Sequence, residues 1–243
     1  MAVDVLIPSS GGHLPGPAAT RSGSIKPRAV AAAPAMPVHW RHGLPTLTEN
    51  GVLLRELQPA DAASLLNLFT DHEVSRFLAP PPATAAGFRR FVRWTQRRRA
   101  EGRYACFAIV PRGRDTAAGL FQVRAEAPES TTAEWGFVLG RPYWGTGLFA
   151  EGSALLLEFA FERMGIRRLE ARAISANGRA NGALRKIGAV PEGVLRQSST
   201  IDGCHYDTTL WSVLDGDWRR ARPASRHELT LPGEIPFVSA RIQ

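Results

Sequence analysis

Trp144-Gly145-Thr146-Gly147-Leu148-Phe149-Ala150-Glu151 is the stretch on which the reading of this chain turns. Before it lies a short apolar run, Ala133 to Leu139. After it, Ala154, Leu157, Phe161 and Met164 recur at helical spacing up to Gly165. The pattern predicts strand, turn, helix. Closely spaced glycines let a backbone approach a ligand with no Cβ in the way. The first turn of the following helix has N–H groups without intrahelical partners and sits at the positive end of the helix dipole. Together these suit a pyrophosphate. A short Gly-x-Gly before a helix is also a common tight turn, and the stretch alone leaves both readings open. It is not a Walker loop, since no Gly-Lys-Ser/Thr follows. As a dinucleotide fingerprint it lacks the third glycine.

Working outward, Gly51 to Leu57 alternates as a strand. Pro59-Ala60-Asp61 opens a helix with Leu65, Leu66 and Phe69 on one face. Asp71 to Pro82 is a connector rich in turn formers. Thr84 caps a second helix, with Phe88, Phe91, Val92 and Thr95 at helical spacing and Arg89, Arg90, Arg93 and Arg97 opposite. Tyr104–Val110, Gly119–Val123 and Ala133–Leu139 read as strands separated by turn signals. Downstream come a strand over Leu169–Ile174, a short helix over Gly178–Ile187 closed by Gly188, and a terminal hairpin of Val190–Arg196 and His205–Leu214. Asp202-Gly203, a favoured turn pair, lies in the hairpin's connection. The order β-α-α-β-β-β-α-β-α-β-β implies a mixed sheet of α/β type.

The chain of 243 residues carries a net charge of +8, concentrated in its ends. Residues 1–45 and 219–243 each hold net +3, and 46–218 only +2. The basicity is therefore no argument for a nucleic-acid surface on the folded part. Residues 1–45 read as a disordered Pro/Ala-rich leader, 46–218 as the folded domain, and 219–243 as a loose basic tail. No apolar run is long enough for a membrane span, and no secretory signal is read. Two cysteines, Cys106 and Cys204, exclude a disulfide framework and point to a reducing compartment, the cytoplasm. Both are expected as small buried core residues. The six histidines show no metal spacing, and no metal is expected. The run Arg97–Arg99, with Arg103, can touch phosphate or an acidic partner, but is expected as a solvated helix face.

Two further residues are candidates for chemistry. Glu134 interrupts an apolar strand, Ala133-Glu134-Trp135-Gly136-Phe137-Val138. It is either a partly buried proton acceptor or an outward-facing residue on a one-sided strand. Asn177 follows a strand and precedes a helix, as an N-cap does. The same position can present its amide to a ligand.

Taken together, Ala-Glu-Trp-Gly-Phe, Trp-Gly-Thr-Gly-Leu-Phe-Ala-Glu, the Asn177–Gly188 segment and Glu192-Gly193-Val194-Leu195-Arg196 resemble the GNAT superfamily of acetyl-CoA-dependent N-acetyltransferases. The ending Asp202 to Trp218 is similar to the branch holding ribosomal-protein N-terminal and polyamine acetyltransferases. The likeness covers Gly51 to Trp218. It implies a mostly antiparallel sheet flanked by helices, with acetyl-CoA as cosubstrate. It also implies roles residue by residue. Trp144, Gly145, Thr146, Gly147, Leu148, Phe149 and Ala150 match the pyrophosphate loop, with Trp144 replacing a common Gln or Arg and Phe149 a small residue. Phe137, Val138 and Leu139 match the strand segment that pairs with the pantetheine arm. Asn177 matches a residue contacting that arm, and Glu134 the strand carboxylate that serves as general base. Many members carry a proton-donating Tyr at the place held here by Arg185, which cannot donate.

The acceptor implied is a primary amine entering between the Asp71–Pro82 connector and the Gln197–Tyr206 loop. At pH 7 an α-amino group with pKa ~8 costs about 1.4 kcal/mol to deprotonate, and a lysine at ~10.4 about 4.6. A site with one base and no Tyr suits the former, for example a ribosomal protein's N-terminus. A small amine such as a polyamine or antibiotic, and a non-catalytic acyl-CoA sensor, are the alternatives. A ribosome- or RNA-associated protein acting through the basic ends is a third.

Overall fold

The structure is a computed structural model that describes residues 2–3 and 38–221. Its strands are β1 (Ala2–Val3), β2 (Leu47–Glu49), β3 (Val52–Glu56), β4 (Tyr104–Pro111), β5 (Gly119–Ala125), β6 (Thr132–Leu139), β7 (Arg168–Ile174), β8 (Val190–Ile201) and β9 (Cys204–Leu214). Its helices are α1 (Ala62–Thr70), α2 (His72–Ser75), α3 (Ala85–Ala100), α4 (Leu148–Glu158), α5 (Gly178–Lys186) and α6 (Asp215–Ala221). The strands lie in the order β2-β3-β4-β5-β6-β7-β9-β8, with β1 added against β6. Every neighbouring pair is antiparallel except β6 and β7, joined through the α4 crossover. The mixed sheet is the one expected from the order of elements, and its mostly antiparallel pairing is what the resemblance implied.

Alternation along the strands builds two cores. One face of the sheet places Phe107, Phe121, Trp135 and Phe137 against Leu155, Leu156 and Phe159 of α4 and its continuation, and Leu184 of α5. The other places Cys106, Ala108, Leu120 and Val138 against Leu65 and Phe69 of α1 and Phe88, Phe91 and Val92 of α3. α3 starts as expected: the Thr84 hydroxyl accepts from the Gly87 amide at 3.1 Å. The last turn of the α4 helix widens to a π-turn over Phe159–Arg163 before Gly165.

The structure departs from the expectations in several places. Four elements were not anticipated: β1, β2, α2 within the connector, and α6, which runs through Trp218 to Ala221. β8 runs on to Ile201. Within the expected leader, Ala2–Val3 forms a strand, and Trp40 and Leu44 are buried against the sheet; residues 4–37 lie outside the described residues. So do residues 222–243 of the expected tail. Arg99 does not belong to a solvated face: its Nε donates to Glu56 at 2.6 Å across the sheet edge. Cys106 is buried as expected, and burial, reinforced by Glu56 and Asp61, pushes its thiol well up. Cys204 is exposed, because it starts β9 beside the hairpin turn. No described helix is long and apolar enough to cross a membrane.

Candidate functional site

The site forms where the parallel pair comes apart. β6 and β7 pair only over Thr132–Glu134 and Arg168–Glu170. Beyond Glu134 they diverge, and the β6 edge at Phe137–Val138 faces the opening. Ala2 and Val3 pair antiparallel with Val138 and Phe137 along that edge. An extended backbone therefore fits there. The side chains of Phe137 and Leu139 anchor the edge in one core and Val138 in the other, so its backbone is held rigid from both faces.

The loop after β6 carries the glycine stretch. Gly145 and Gly147 have φ of 78° and 89°, a conformation costly for any residue with a Cβ. Gly147 caps α4 without any side-chain bond. The amides of Phe149 and Ala150, in the first turn of α4, have no acceptor among the described residues. Two donors at the positive end of the helix thus point outward, as an anion would need. The Thr146 hydroxyl closes the loop on the Tyr143 carbonyl at 2.8 Å. Trp144 ties the loop to β6, its Nε1 donating to the Leu139 carbonyl at 2.7 Å. Leu148 and Phe149 turn their side chains into the core, where the Phe149 ring lies 4.5 Å from that of Phe137. The bulky Phe149 therefore leaves its own amide clear. Glu151, further into the same turn, accepts from the Gly51 amide at 3.0 Å and fixes the β2–β3 turn beside the loop.

Asn177 is the N-cap of α5: its Oδ1 accepts from the Ala180 amide at 3.1 Å. It lines a cavity of about 180 Å³ together with Glu73, Arg76, Phe77 and Arg179. Across the mouth of the opening the Phe77 ring meets Tyr206 of β9 edge-on, 6.4 Å between centroids. The connector and the Gln197–Tyr206 segment, expected to flank the acceptor, are thus in contact, but that segment is not the expected loop: β8 runs to Ile201 and β9 starts at Cys204. Asp71 caps α2 and pairs with Arg141 at 3.1 Å, joining the connector to the glycine loop.

Glu134 stands at the foot of the opening and is largely covered, its side chain 14% exposed. It pairs with Arg124 directly opposite on β5 and with Arg172 of β7 at 3.5 Å. The ionic row continues through Glu170 and Arg168 to Glu192 on β8, which also accepts from the Ser212 hydroxyl. The hydrogen bonds from Arg168, then that from Ser212, pull the Glu192 carboxyl down to about 2. Arg185 is exposed, its guanidinium 5.4 Å from the Trp211 ring.

The structure thus brings together Phe137, Val138, Leu139, Trp144–Ala150 and Asn177 around one opening, with Glu134 at its base. Sequence reasoning missed three partners: Arg124, Arg172 and Arg179. The register between strands sets the first two, and no spacing within one segment reveals it. The one available signal was their parity with Glu134 on a common sheet face. Among the described residues, no three His, Cys, Asp or Glu residues cluster as a metal site.

Comparison with known proteins agrees with this geometry. The family described as "Acetyltransferase (GNAT) domain" matches residues 52–190, more than half of the chain. The chain is 26% identical over 174 residues to the uncharacterized N-acetyltransferase p20 of Bacillus licheniformis, covering 71% of this chain and 98% of p20. Among solved structures, Mycobacterium smegmatis RimJ in complex with CoA-disulfide superposes with a TM-score of 0.64 at 19% identity, over 71% of this chain and 87% of that one. The ribosomal-protein-S5-alanine acetyltransferase of Vibrio fischeri gives 0.65 at 18% identity, over 71% and 98%. At such identities the two structures speak for the fold. The length of the matched region, with the glycine loop and the parted strands inside it, carries the conclusion that this chain belongs to the GNAT acetyltransferase family.

Proposed function

We propose that the chain transfers an acetyl group from acetyl-CoA to the α-amine of a peptide or protein N-terminus. The observation that carries this reading is the edge of β6 at Phe137–Val138, held from both cores and shown by its pairing with β1 to take an extended backbone, beside the amides that head α4. The coenzyme's diphosphate takes the amides of the Trp144–Ala150 loop. Its pantetheine arm runs along Phe137, Val138 and Leu139, and Asn177 bonds the same arm. The amine nitrogen attacks the thioester carbonyl carbon, whose oxygen is polarised by a strand amide near Val138. The C–S bond then breaks and the sulfur leaves as thiolate. A thiol with a pKa near ~8.5 is a tolerable leaving group, so the absence of a donor at Arg185 does not stop the reaction.

Glu134 receives the amine proton. It lies four positions from Val138 on the same face of β6, about 13 Å along the strand at ~3.3 Å per residue. The proton therefore travels through water rather than by direct contact. Neutralising an α-amine at pH 7 costs about 3 kcal/mol less than neutralising a lysine, which a relayed base can supply more readily. The connector offers little to a polyamine: Asp71 is engaged by Arg141, leaving Glu73, beside His72, as its other carboxylate. A relative 24% identical over 174 residues, described as a putative ribosomal N-acetyltransferase of Bacillus subtilis, supports a ribosomal protein's N-terminus as the acceptor, and such an acceptor would be met in the cytoplasm.

Release of free thiol from acetyl-CoA across short peptides, α-blocked lysine peptides, polyamines and aminoglycosides tests the reading. Turnover with free-N-terminus peptides is expected. Turnover confined to polyamines or aminoglycosides contradicts the acceptor class, and binding without turnover on any amine favours a sensor.

A further inference from the structure

We infer that Arg179, outside the glycine loop, is a coenzyme-binding residue that grips the diphosphate from the opposite wall of the slot. The inference rests on the acetyl-CoA reading and goes beyond it. The guanidinium of Arg179, in the first turn of α5, lies 4.2 Å from the ring centroid of Trp144, the residue that opens the loop ahead of α4. This contact joins the N-terminal ends of two helices across the slot where β6 and β7 part. Trp144 is a fixed platform, since its Nε1 is bonded to the Leu139 carbonyl.

The charge arrangement calls for an anion. A cation in the first turn opposes the helix dipole, and α5 has no acidic residue there to offset it. Arg179 has no ion pair among the described residues. It shares a cavity of about 180 Å³ with Arg76, likewise without an ion pair, whose guanidinium lies over Phe77. The one carboxylate lining that cavity, Glu73, pairs only with His72, at 3.9 Å. A guanidinium held over a ring keeps N–H donors that a phosphate's oxygens can take. Here the cation comes from α5 and the loop supplies the surface that holds it.

The test compares wild type with Arg179→Gln and Arg179→Lys on three donors: acetyl-CoA, its 3′-dephospho form, and S-acetylpantetheine, which has no phosphate. For Arg179→Gln, KM is expected to rise about tenfold with both coenzyme forms and to stay unchanged with S-acetylpantetheine. The lysine variant should fall between, keeping the charge and losing the forked donors. An equal rise with all three donors, or no rise with any, overturns the assignment. A rise with acetyl-CoA but not the dephospho form moves the contact to the 3′-phosphate and also overturns it. A wild-type chain that accepts none of the donors contradicts the acetyl-CoA reading itself.

Discussion

Glu134 and Gly147 show how much chemistry single positions carry here. Glu134 is held between Arg124 and Arg172, so its carboxylate has a fixed place at the foot of the slot. Replacing it by Gln keeps the shape and removes the proposed proton acceptor. The rate at saturation, read by thiol release, should fall about 100-fold while KM for acetyl-CoA moves little. An unchanged rate assigns the proton elsewhere. Gly147, at φ 89°, heads α4 in a conformation that a Cβ makes costly. Gly147→Ala should lower stability by about 1–3 kcal/mol in urea denaturation and weaken coenzyme binding with it. The carboxylate was legible because it breaks an apolar strand, and the glycines because two stand so close together. The arginines around Glu134 were not, since each belongs to a different strand and meets it only through register.

Elements decide what the slot admits. β1 lies along the β6 edge that the pantetheine arm is proposed to use, so segment and coenzyme compete for the same backbone groups. Removing residues 1–3 should lower KM for acetyl-CoA about fivefold and leave the rate at saturation unchanged, as steady-state kinetics would show. A higher KM would mean that the segment supports the site. At the far edge of the sheet, Arg168 and Ser212 hold Glu192 of β8, and its carboxyl sits at about 2 against an ordinary 4.5. The stability from this pairing is present above the ordinary value and is lost as pH falls from there toward 2. Urea midpoints of wild type and Glu192→Gln should therefore differ near neutrality and converge on acidification. The long elements were legible from periodicity and caps such as Thr84. β1 and β2, two and three residues long, exist only because a neighbouring strand offers its edge, and so short a segment has no period to read.

Among the described residues the molecule is one sheet between two helical layers, and β6 and β7, its one parallel pair, part beyond Glu134. Its order of elements was legible because each hairpin and the one crossover leave their own turn signals. The entry proposed for the acceptor was less so, because the Asp71–Pro82 connector shows no period, and its meeting with β9 at Phe77 and Tyr206 is a product of the finished fold. Packing at the edges was hidden for the same reason: Trp40 and Leu44 stand in a Pro-rich stretch yet are buried in the core. The central claim is that a coenzyme's diphosphate binds the bare amides heading α4 while its arm lies along β6. Hydrogen exchange of the whole chain with and without acetyl-CoA tests it most directly. The expected result is slowed exchange over Gly145–Ala150 when the coenzyme is added. Exchange there that is unchanged at saturating acetyl-CoA would contradict it.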